Sequence, residues 1–275
     1  MKRIVCLSGG ESSAIAAVEV ARRHGTDGLV LLNHDICASV ELPDIKRFKK
    51  EVAEYIGVPI TFANIGGKAT VDVDQFDVCI DARAFSAGGH MLCTNRLKTA
   101  PFMRWIENNA DKQNTIIYYG FDVSETARVQ RRIGIMGGQG WRTDYPLLWR
   151  ERTLQRIADV GIEPPLTYCR FRHANCVGCL KAGMQHWYVV YCQYPEIWGK
   201  AKAAEDEIGF AIHKDGDGKP VYLDEVQGKF ENMRKAGIPA TEKIPAAQFW
   251  ASANRVADGG GLFELDEQLP CECVI

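Results

Sequence analysis

The sequence has no apolar stretch long enough to cross a membrane, since a spanning helix needs about 20 consecutive apolar residues. The charged start, Met1-Lys2-Arg3, leads into an apolar run that is too short for a signal peptide. The formal net charge is only −2, so the chain has no general attraction to nucleic acid, and any such contact must come from a local patch. These absences favour a cytoplasmic protein that does not associate with a membrane.

Cysteine, by contrast, is abundant, with ten residues in a chain of 275. Reducing compartments disfavour structural disulfides and leave thiols for metal binding or redox chemistry. The positions of the cysteines therefore bear directly on function. Hydrophobic residues make up 46% of the chain, which is enough for one good core, and we expect a smaller region appended to it.

Short apolar runs alternate with segments of helical spacing in the N-terminal part of the chain, a pattern typical of a parallel sheet. Strands are predicted at residues 4–7, 28–33, 58–63 and 115–119, a helix at 43–57, a further short strand at 145–149 and a helix at 152–161. The predicted fold class is α/β: a Rossmann-like parallel sheet with helices on both faces and a cysteine-bearing C-terminal extension.

A Ser-Gly-Gly turn follows the first predicted strand. Adjacent glycines let the backbone approach a ligand closely, and the N–H groups that open the next helix favour an anion. The turn lacks the Gly-Lys-Ser/Thr ending of a Walker loop and the third glycine of a dinucleotide fingerprint. A plain turn with a serine helix cap is the alternative. The predicted phosphate-binding residues are Ser8, Gly9, Gly10, Ser12 and Ser13.

This turn resembles the pyrophosphate loop, Ser-Gly-Gly-x-Asp-Ser, of the phosphoadenosine phosphosulfate reductase-like and ATP pyrophosphatase (PP-loop) superfamily, with Ser12 where the family has Asp. In that family the second strand ends in a His/Asp-type loop that helps to hold the adenosine, and His34 and Asp35 follow the second predicted strand here. The resemblance implies that both contact the nucleotide. The alternative is that they brace the turn.

Two later segments extend the resemblance. The spacing Cys93-x4-Lys98-x2-Pro is similar to a segment of the sulfonucleotide reductases in which the lysine faces substrate phosphate or sulfate, although Thr94 replaces their second cysteine. The spacing Gly120-x7-Arg128 is similar to another family segment, although Asp122 stands where the family has its first arginine. The resemblance implies a catalytic role for Lys98 and nucleotide contacts for Gly120 and Arg128.

The pair Cys176-x2-Cys179 is the strongest local signal after the turn, because this spacing lets two thiolates face one metal. In the cluster-bearing adenosine phosphosulfate reductases a similar pair shares a 4Fe–4S cluster with an earlier cysteine pair. The resemblance therefore implies that Cys93, Cys176 and Cys179 bind a 4Fe–4S cluster, with zinc as the alternative metal. The fourth ligand stays open among Cys169, Cys192, Cys271 and Cys273. The alternative is that it is absent and one iron is open, as in the cluster-dependent tRNA thiolases of the superfamily.

The resemblance implies an adenine-nucleotide-dependent enzyme of sulfur chemistry. The favoured hypothesis is a sulfurtransferase of ATP-pyrophosphatase type that uses ATP with Mg²⁺ and a cysteine-ligated cluster. The alternative is a reductase of an adenylyl sulfonucleotide, because Glu272-Cys273 looks like the reductase tail and makes Cys273 the nucleophile. Thr94 and the partial tail match weigh against it. A third hypothesis is a non-catalytic nucleotide- or metal-binding module.

We expect two regions: a nucleotide-binding α/β domain over residues 1–165 and a cysteine-containing region over residues 166–275 packed on it. The expected partners are an adenine nucleotide and a sulfur donor or thiol–disulfide reductant. The sulfur acceptor is open among tRNA, DNA and a small molecule. A homo-oligomer is compatible with the sequence.

Overall fold

The computed structural model describes residues 1–64, 72–174 and 176–256. Two sets of elements make up this part of the chain. The strands are β1 (Lys2–Cys6), β2 (Leu29–Asn33), β3 (Ile60–Phe62), β4 (Ser86–Ala87), β5 (His90–Met91), β6 (Thr115–Tyr118), β7 (Arg142–Asp144), β8 (His213–Lys214) and β9 (Pro220–Val221). The helices are α1 (Glu11–His24), α2 (Pro43–Ile56), α3 (Gln75–Ala82), α4 (Leu92–Thr94), α5 (Ala100–Asn109), α6 (Thr126–Gly138), α7 (Met184–Gln193), α8 (Pro195–Ile208), α9 (Leu223–Lys235) and α10 (Ala246–Val256).

The central sheet has five parallel strands in the order β3-β2-β1-β6-β7. The chain builds outward from β1 in one direction and then returns to place β6 on the other side of β1. The strand order therefore reverses beside β1, and in open α/β sheets this switch point is where ligands bind, at the carboxyl ends of the strands. The Ser-Gly-Gly turn leaves β1 at that edge.

The two faces of the sheet are both covered, because the side chains of β1 alternate between two apolar clusters. Val5 and Leu7 pack in a cluster with α1 and α2. Ile4 and Cys6 pack on the other face in a cluster with α5 and α6. These observations confirm the predicted α/β fold, a Rossmann-like parallel sheet with helices on both faces.

The cysteine-bearing C-terminal part has an apolar core of its own, built from α7, α8, α9 and α10 around the fully buried Trp187. Helix α3 contributes Phe76 and Cys79 to this core, although it precedes β6 in the chain. The predicted boundary at residue 165 stays a prediction. The core shows, however, that residues from before the boundary pack with residues from after it.

Two local predictions beyond β6 are wrong. Residues 145–149 form no strand but a short 3-10 turn at Pro146–Leu148, and the edge strand is β7, just before it. Residues 152–161 are helical only in a 3-10 turn at Ile157–Val160. The reason is the buried carboxylate of Glu19, which accepts hydrogen bonds from the backbone N–H groups of Thr153 (2.7 Å) and Leu154 (2.6 Å). These donors are satisfied without a helix.

Within the described ranges, every helix is too short or too polar to cross a membrane.

Candidate functional site

The Ser-Gly-Gly turn closes on itself through a serine. The Ser13 hydroxyl oxygen accepts a hydrogen bond from Ser8 N (3.1 Å) and donates one to Gly10 O (2.7 Å). Gly9 has a φ of +88°, and a Cβ there would lie 2.7 Å from the side chain of Ile45. Of the predicted hydroxyl donors, Ser13 is therefore buried and committed to the turn, whereas Ser12 is exposed.

Gly120 brings the end of β6 against this turn. A Cβ on Gly120 would lie 2.6 Å from the carbonyl oxygen of Ser12 and 2.7 Å from the amide nitrogen of Ser13. Only a residue without a side chain permits this approach. The structure thus brings two of the predicted segments, the glycine turn and the Gly120 loop, into direct contact.

Tyr168 is a contact that the sequence did not predict. Its hydroxyl oxygen accepts a hydrogen bond of 3.0 Å from Glu11 N, the first amide of α1. The same oxygen would lie 3.3 Å from a Cβ on Gly10. Burial raises the pKa of the Tyr168 phenol, so it stays protonated. An anion bound at the turn would use this N–H, and the Tyr168 hydroxyl occupies it in the structure. The same bond joins the cysteine-bearing part of the chain to the turn.

His34 and Asp35 follow β2 at the same edge of the sheet. Burial, followed by the charge of Lys98, lowers the pKa of His34 to about 3, so its imidazole is neutral. Its Nε2 atom has no hydrogen-bond partner among the described residues. Asp35 accepts a 2.5 Å hydrogen bond from Lys46, and both line an open recess of about 600 Å³ along α2 and β3. A recess of this size is in the range of small-molecule sites.

A buried lysine lies beneath the turn. Lys49 Nζ is 2.8 Å from the Glu41 carboxylate and 3.1 Å from Asn33 Oδ1, and Asn33 Nδ2 donates to Leu7 O at the end of β1. Burial lowers the pKa of Lys49, although Glu41 opposes the shift. Its methylenes lie 3.3 to 3.4 Å from the Cβ position of Gly9. Lys49, held by its hydrogen-bond partners, therefore packs directly against the glycine turn.

Lys98 and the three predicted metal ligands meet at one small cavity of about 20 Å³. A π-helical segment, Asn95–Thr99, joins α4 to α5 and carries Lys98. Such segments are frequent at functional sites, because the extra residue changes the direction of a side chain. The remaining lining residues are polar and apolar in mixture. The cavity is lined by Gln75, Cys93, Thr94, Leu97, Lys98, Cys176, Cys179 and Leu180.

The thiols nevertheless do not form a complete metal site in the described part of the chain, where no three His, Cys, Asp or Glu side chains are grouped closely enough to hold a metal ion. Cys169 and Cys192, two candidates for the fourth ligand, are not among the residues that line the cavity. The other two candidates, Cys271 and Cys273, lie outside the described residues.

Arg128 lies on the first turn of α6. Its guanidinium pairs with Glu125 and stacks 4.6 Å above the ring of Phe121. Asp122, which stands where the family has an arginine, accepts a hydrogen bond of 2.8 Å from Ser124 N and so begins the turn before α6. The basic face of α6 forms a shallow recess lined by Arg128, Arg131, Arg132 and Ile135.

Taken together, the fold and the site define an α/β protein with a glycine turn at the switch point of its sheet and a cavity that combines a lysine with three thiols. Comparisons of this chain with protein-family models, curated proteins and solved structures found no match.

Proposed function

We propose that this chain is an adenine-nucleotide-dependent enzyme of sulfur chemistry from the phosphoadenosine phosphosulfate reductase-like superfamily, and that it acts as an ATP-pyrophosphatase-type sulfurtransferase. The observation that carries the proposal is the cavity shared by Lys98, Cys93, Cys176 and Cys179. Residues far apart in the sequence converge there. The proposal is supported because a cation that can pair with phosphate and thiols that can carry sulfur lie side by side in this cavity.

In this proposal the phosphates of ATP bind at the Ser-Gly-Gly turn, with Lys98 and Arg128 balancing their charge. An oxygen of the acceptor attacks the α-phosphorus, and the bond to pyrophosphate breaks. An external donor of sulfane sulfur converts a cysteine to its persulfide. The outer sulfur of this persulfide then attacks the adenylated carbon and AMP leaves. When the cavity holds no metal, a second thiol in it attacks the resulting disulfide, which releases the thiolated product and leaves a protein disulfide for an external reductant. Fixed donors around the phosphates stabilise the developing charge.

The candidate ligands are of the right chemical type for a metal, but the set of ligands is incomplete in the described part of the chain. Three thiols around one cavity suit a 4Fe–4S cluster or zinc, and Cys93, Cys176 and Cys179 would hold it. The described residues supply no group of three close enough to bind a metal ion, so a further ligand or an inward movement is required.

Metal analysis under anaerobic conditions tests the cluster. We expect brown protein with about four irons and four sulfides per chain, and we expect the Cys176→Ser variant to lose them. Cys37→Ser is the matched control, because Cys37 is also half-buried but is not among the residues that line the cavity. Stoichiometric zinc, or no metal in the wild type, would contradict the cluster hypothesis. The cysteine thiols would then be the remaining candidates for carrying sulfur.

Product analysis separates the hypotheses. Sulfur transfer predicts release of pyrophosphate from ATP that depends on an acceptor and is lost in Lys98→Met. Release of sulfite from an adenylyl sulfonucleotide, abolished by Cys273→Ser with the metal content unchanged, would establish the reductase instead. Nucleotide binding without turnover under either condition would leave the binding module.

A further inference from the structure

The backbone of the loop between Cys176 and Cys179 is held by hydrogen bonds from outside the loop. Val177 N donates to Val40 O at 2.9 Å. The side-chain amide of Gln75, on α3, donates to Val177 O at 2.8 Å and to Gly178 O at 3.2 Å. The loop's peptide groups are thus hydrogen-bonded by α3 and by the segment after β2.

Gly178 allows the surrounding side chains to close on the loop. Its φ is +70°, a conformation that side chains other than glycine rarely adopt. A Cβ there would lie 2.8 Å from a methyl group of Ile197 and 3.1 Å from the ring of Phe76. Side chains from α3 and α8 therefore pack closely against the loop, and the N–H of Gly178 is directed at a side chain.

That side chain is His186, and its hydrogen bonds define its tautomer. Gly178 N donates to His186 Nε2 at 3.2 Å, so Nε2 carries no proton. His186 Nδ1 lies 3.1 Å from Glu242 Oε1 and therefore carries the proton and donates it. The second carboxylate oxygen of Glu242 accepts a hydrogen bond of 2.9 Å from Arg172 N. Both side chains are buried.

We propose that His186 and Glu242 are positioning residues for the Cys176–Cys179 loop. The carboxylate fixes the imidazole as the neutral Nδ1–H form, and this form presents Nε2 as the acceptor of the Gly178 N–H. The pair thereby sets the conformation in which the two thiols reach the cavity. This positioning role does not depend on which metal the thiols bind or which sulfur chemistry they perform.

Glu242→Gln is the sharpest substitution, because it keeps the shape and removes one acceptor. In the structure both oxygens of Glu242 accept, one from His186 and one from Arg172. A glutamine offers one oxygen and one NH2 group. Either the NH2 faces Arg172 N–H, or it faces Nδ1 and moves the imidazole proton to Nε2, opposite Gly178 N–H. Each arrangement places two donors against each other.

The first measurement is made on the wild-type protein and does not depend on a variant. Long-range 1H–15N spectra of the imidazole distinguish its two neutral tautomers and the imidazolium. We expect His186 to be neutral with the proton on Nδ1. A proton on Nε2, or on both nitrogens, at neutral pH would overturn the proposal.

The second measurement is the rate at which Cys176 and Cys179 are alkylated in the metal-free, full-length protein, resolved by mass spectrometry. We expect Glu242→Gln to raise both rates about tenfold, since a buried donor left without its acceptor favours opening by roughly that factor. Cys6, which is buried in the apolar cluster between the sheet and helices α5 and α6, reports any general loosening. Unchanged rates at Cys176 and Cys179 would overturn the proposal.

Gln185→Met is the matched control. Gln185 precedes His186 on α7, is equally buried, and bonds Thr241 O (2.8 Å) and Ile244 O (3.0 Å) on either side of Glu242. Among the described residues, no hydrogen bond joins the Gln185 side chain to the cysteine loop. Loss of its bonds should destabilise the same segment without changing the alkylation of Cys176 or Cys179. Equal acceleration in both variants would make Glu242 a merely structural residue.

Discussion

At the scale of single residues, the site includes a buried ion pair beside the glycine turn. Lys49 is only 2% exposed and is held by Glu41 and Asn33. A buried ion pair contributes little net stability, because the cost of desolvation offsets the attraction. Removal of one partner is different, since it leaves the other charge buried and unpaired. The structural benefit is local: the Lys49 stem supports Gly9 and the glycine turn.

His213 provides a prediction about pH at this scale. It is buried on β8 against the ring of Trp187, at 5.7 Å, and its Nε2 has no hydrogen-bond partner among the residues described. Burial lowers its pKa from 6.5 to about 3. Between these values the unfolded chain binds a proton that the folded chain does not bind. The free energy of unfolding should therefore fall as the pH falls, by about 1.4 kcal/mol per pH unit for this group.

His213→Phe should remove this contribution, because phenylalanine keeps a ring against Trp187 and cannot be protonated. The measurement is urea unfolding at several pH values from about 7 to about 4. The variant should lose stability less steeply than the wild type, by roughly 1.4 kcal/mol per pH unit. His90→Gln, at an exposed position on β5, should leave the slope unchanged. Identical slopes for His213→Phe and the wild type would contradict the prediction.

At the scale of elements, the sequence predicts what apolar periodicity controls. Continuous apolar runs predict β1, β2, β3 and β6, and the two adjacent glycines predict the turn after β1. Periodicity is silent about hydrogen bonds from distant side chains. Glu19 satisfies the amides of residues 153 and 154, so the predicted helix there does not form. The bond from Glu11 to Tyr168 is equally invisible, since residues 157 positions apart form it.

The burial of Lys49 does have a signal in the sequence. It lies four residues after Ile45 and three before Val52, both fully buried, so helical periodicity places it on the buried face of α2. A lysine on a buried face needs a partner, and Glu41 is the acidic residue just before the helix that provides it. The convergence of Cys93 with Cys176 and Cys179 has no such local signal. Only the resemblance suggested it.

Gly120→Ala tests the contact between β6 and the start of α1. The added methyl would lie 2.6 to 2.7 Å from backbone atoms of Ser12 and Ser13, which cannot rotate away as a side chain can. We expect a loss of about 1–3 kcal/mol in the free energy of unfolding, as for overpacking in a core. Chemical unfolding measures it.

Gly134→Ala is the comparison. Gly134 lies within α6, and a Cβ there meets nothing within 4 Å. The same substitution should stabilise the protein by up to about 1 kcal/mol, because alanine is a better helix former than glycine. A neutral or stabilising Gly120→Ala would mean that the turn and the β6 end separate easily.

At the scale of the whole molecule, the part that contains the sheet and the C-terminal part with its own apolar core are packed together rather than separate. Phe76 and Cys79, from α3, are buried with Trp187 and Phe230 from the C-terminal part. In the opposite direction, Leu166 N donates to the Asp44 carboxylate, and Tyr168 bonds the start of α1. The glycine turn and the thiol cavity are therefore held by contacts that cross residue 165 several times.

This architecture predicts that residues 1–165 do not fold alone. Without the C-terminal part, Phe76, Cys79 and Phe85 would expose apolar surface that is buried in the intact chain. The isolated fragment should aggregate or lack a cooperative unfolding transition, and co-expression with residues 166–275 should recover a complex. The control is the whole chain cut after folding at a protease site inserted between residues 165 and 166, where Leu166 is exposed. The cut chain should stay associated, because the core rather than chain continuity holds it. A soluble 1–165 fragment with cooperative unfolding would instead show that α3 is dispensable to the sheet and that the boundary separates two independent domains.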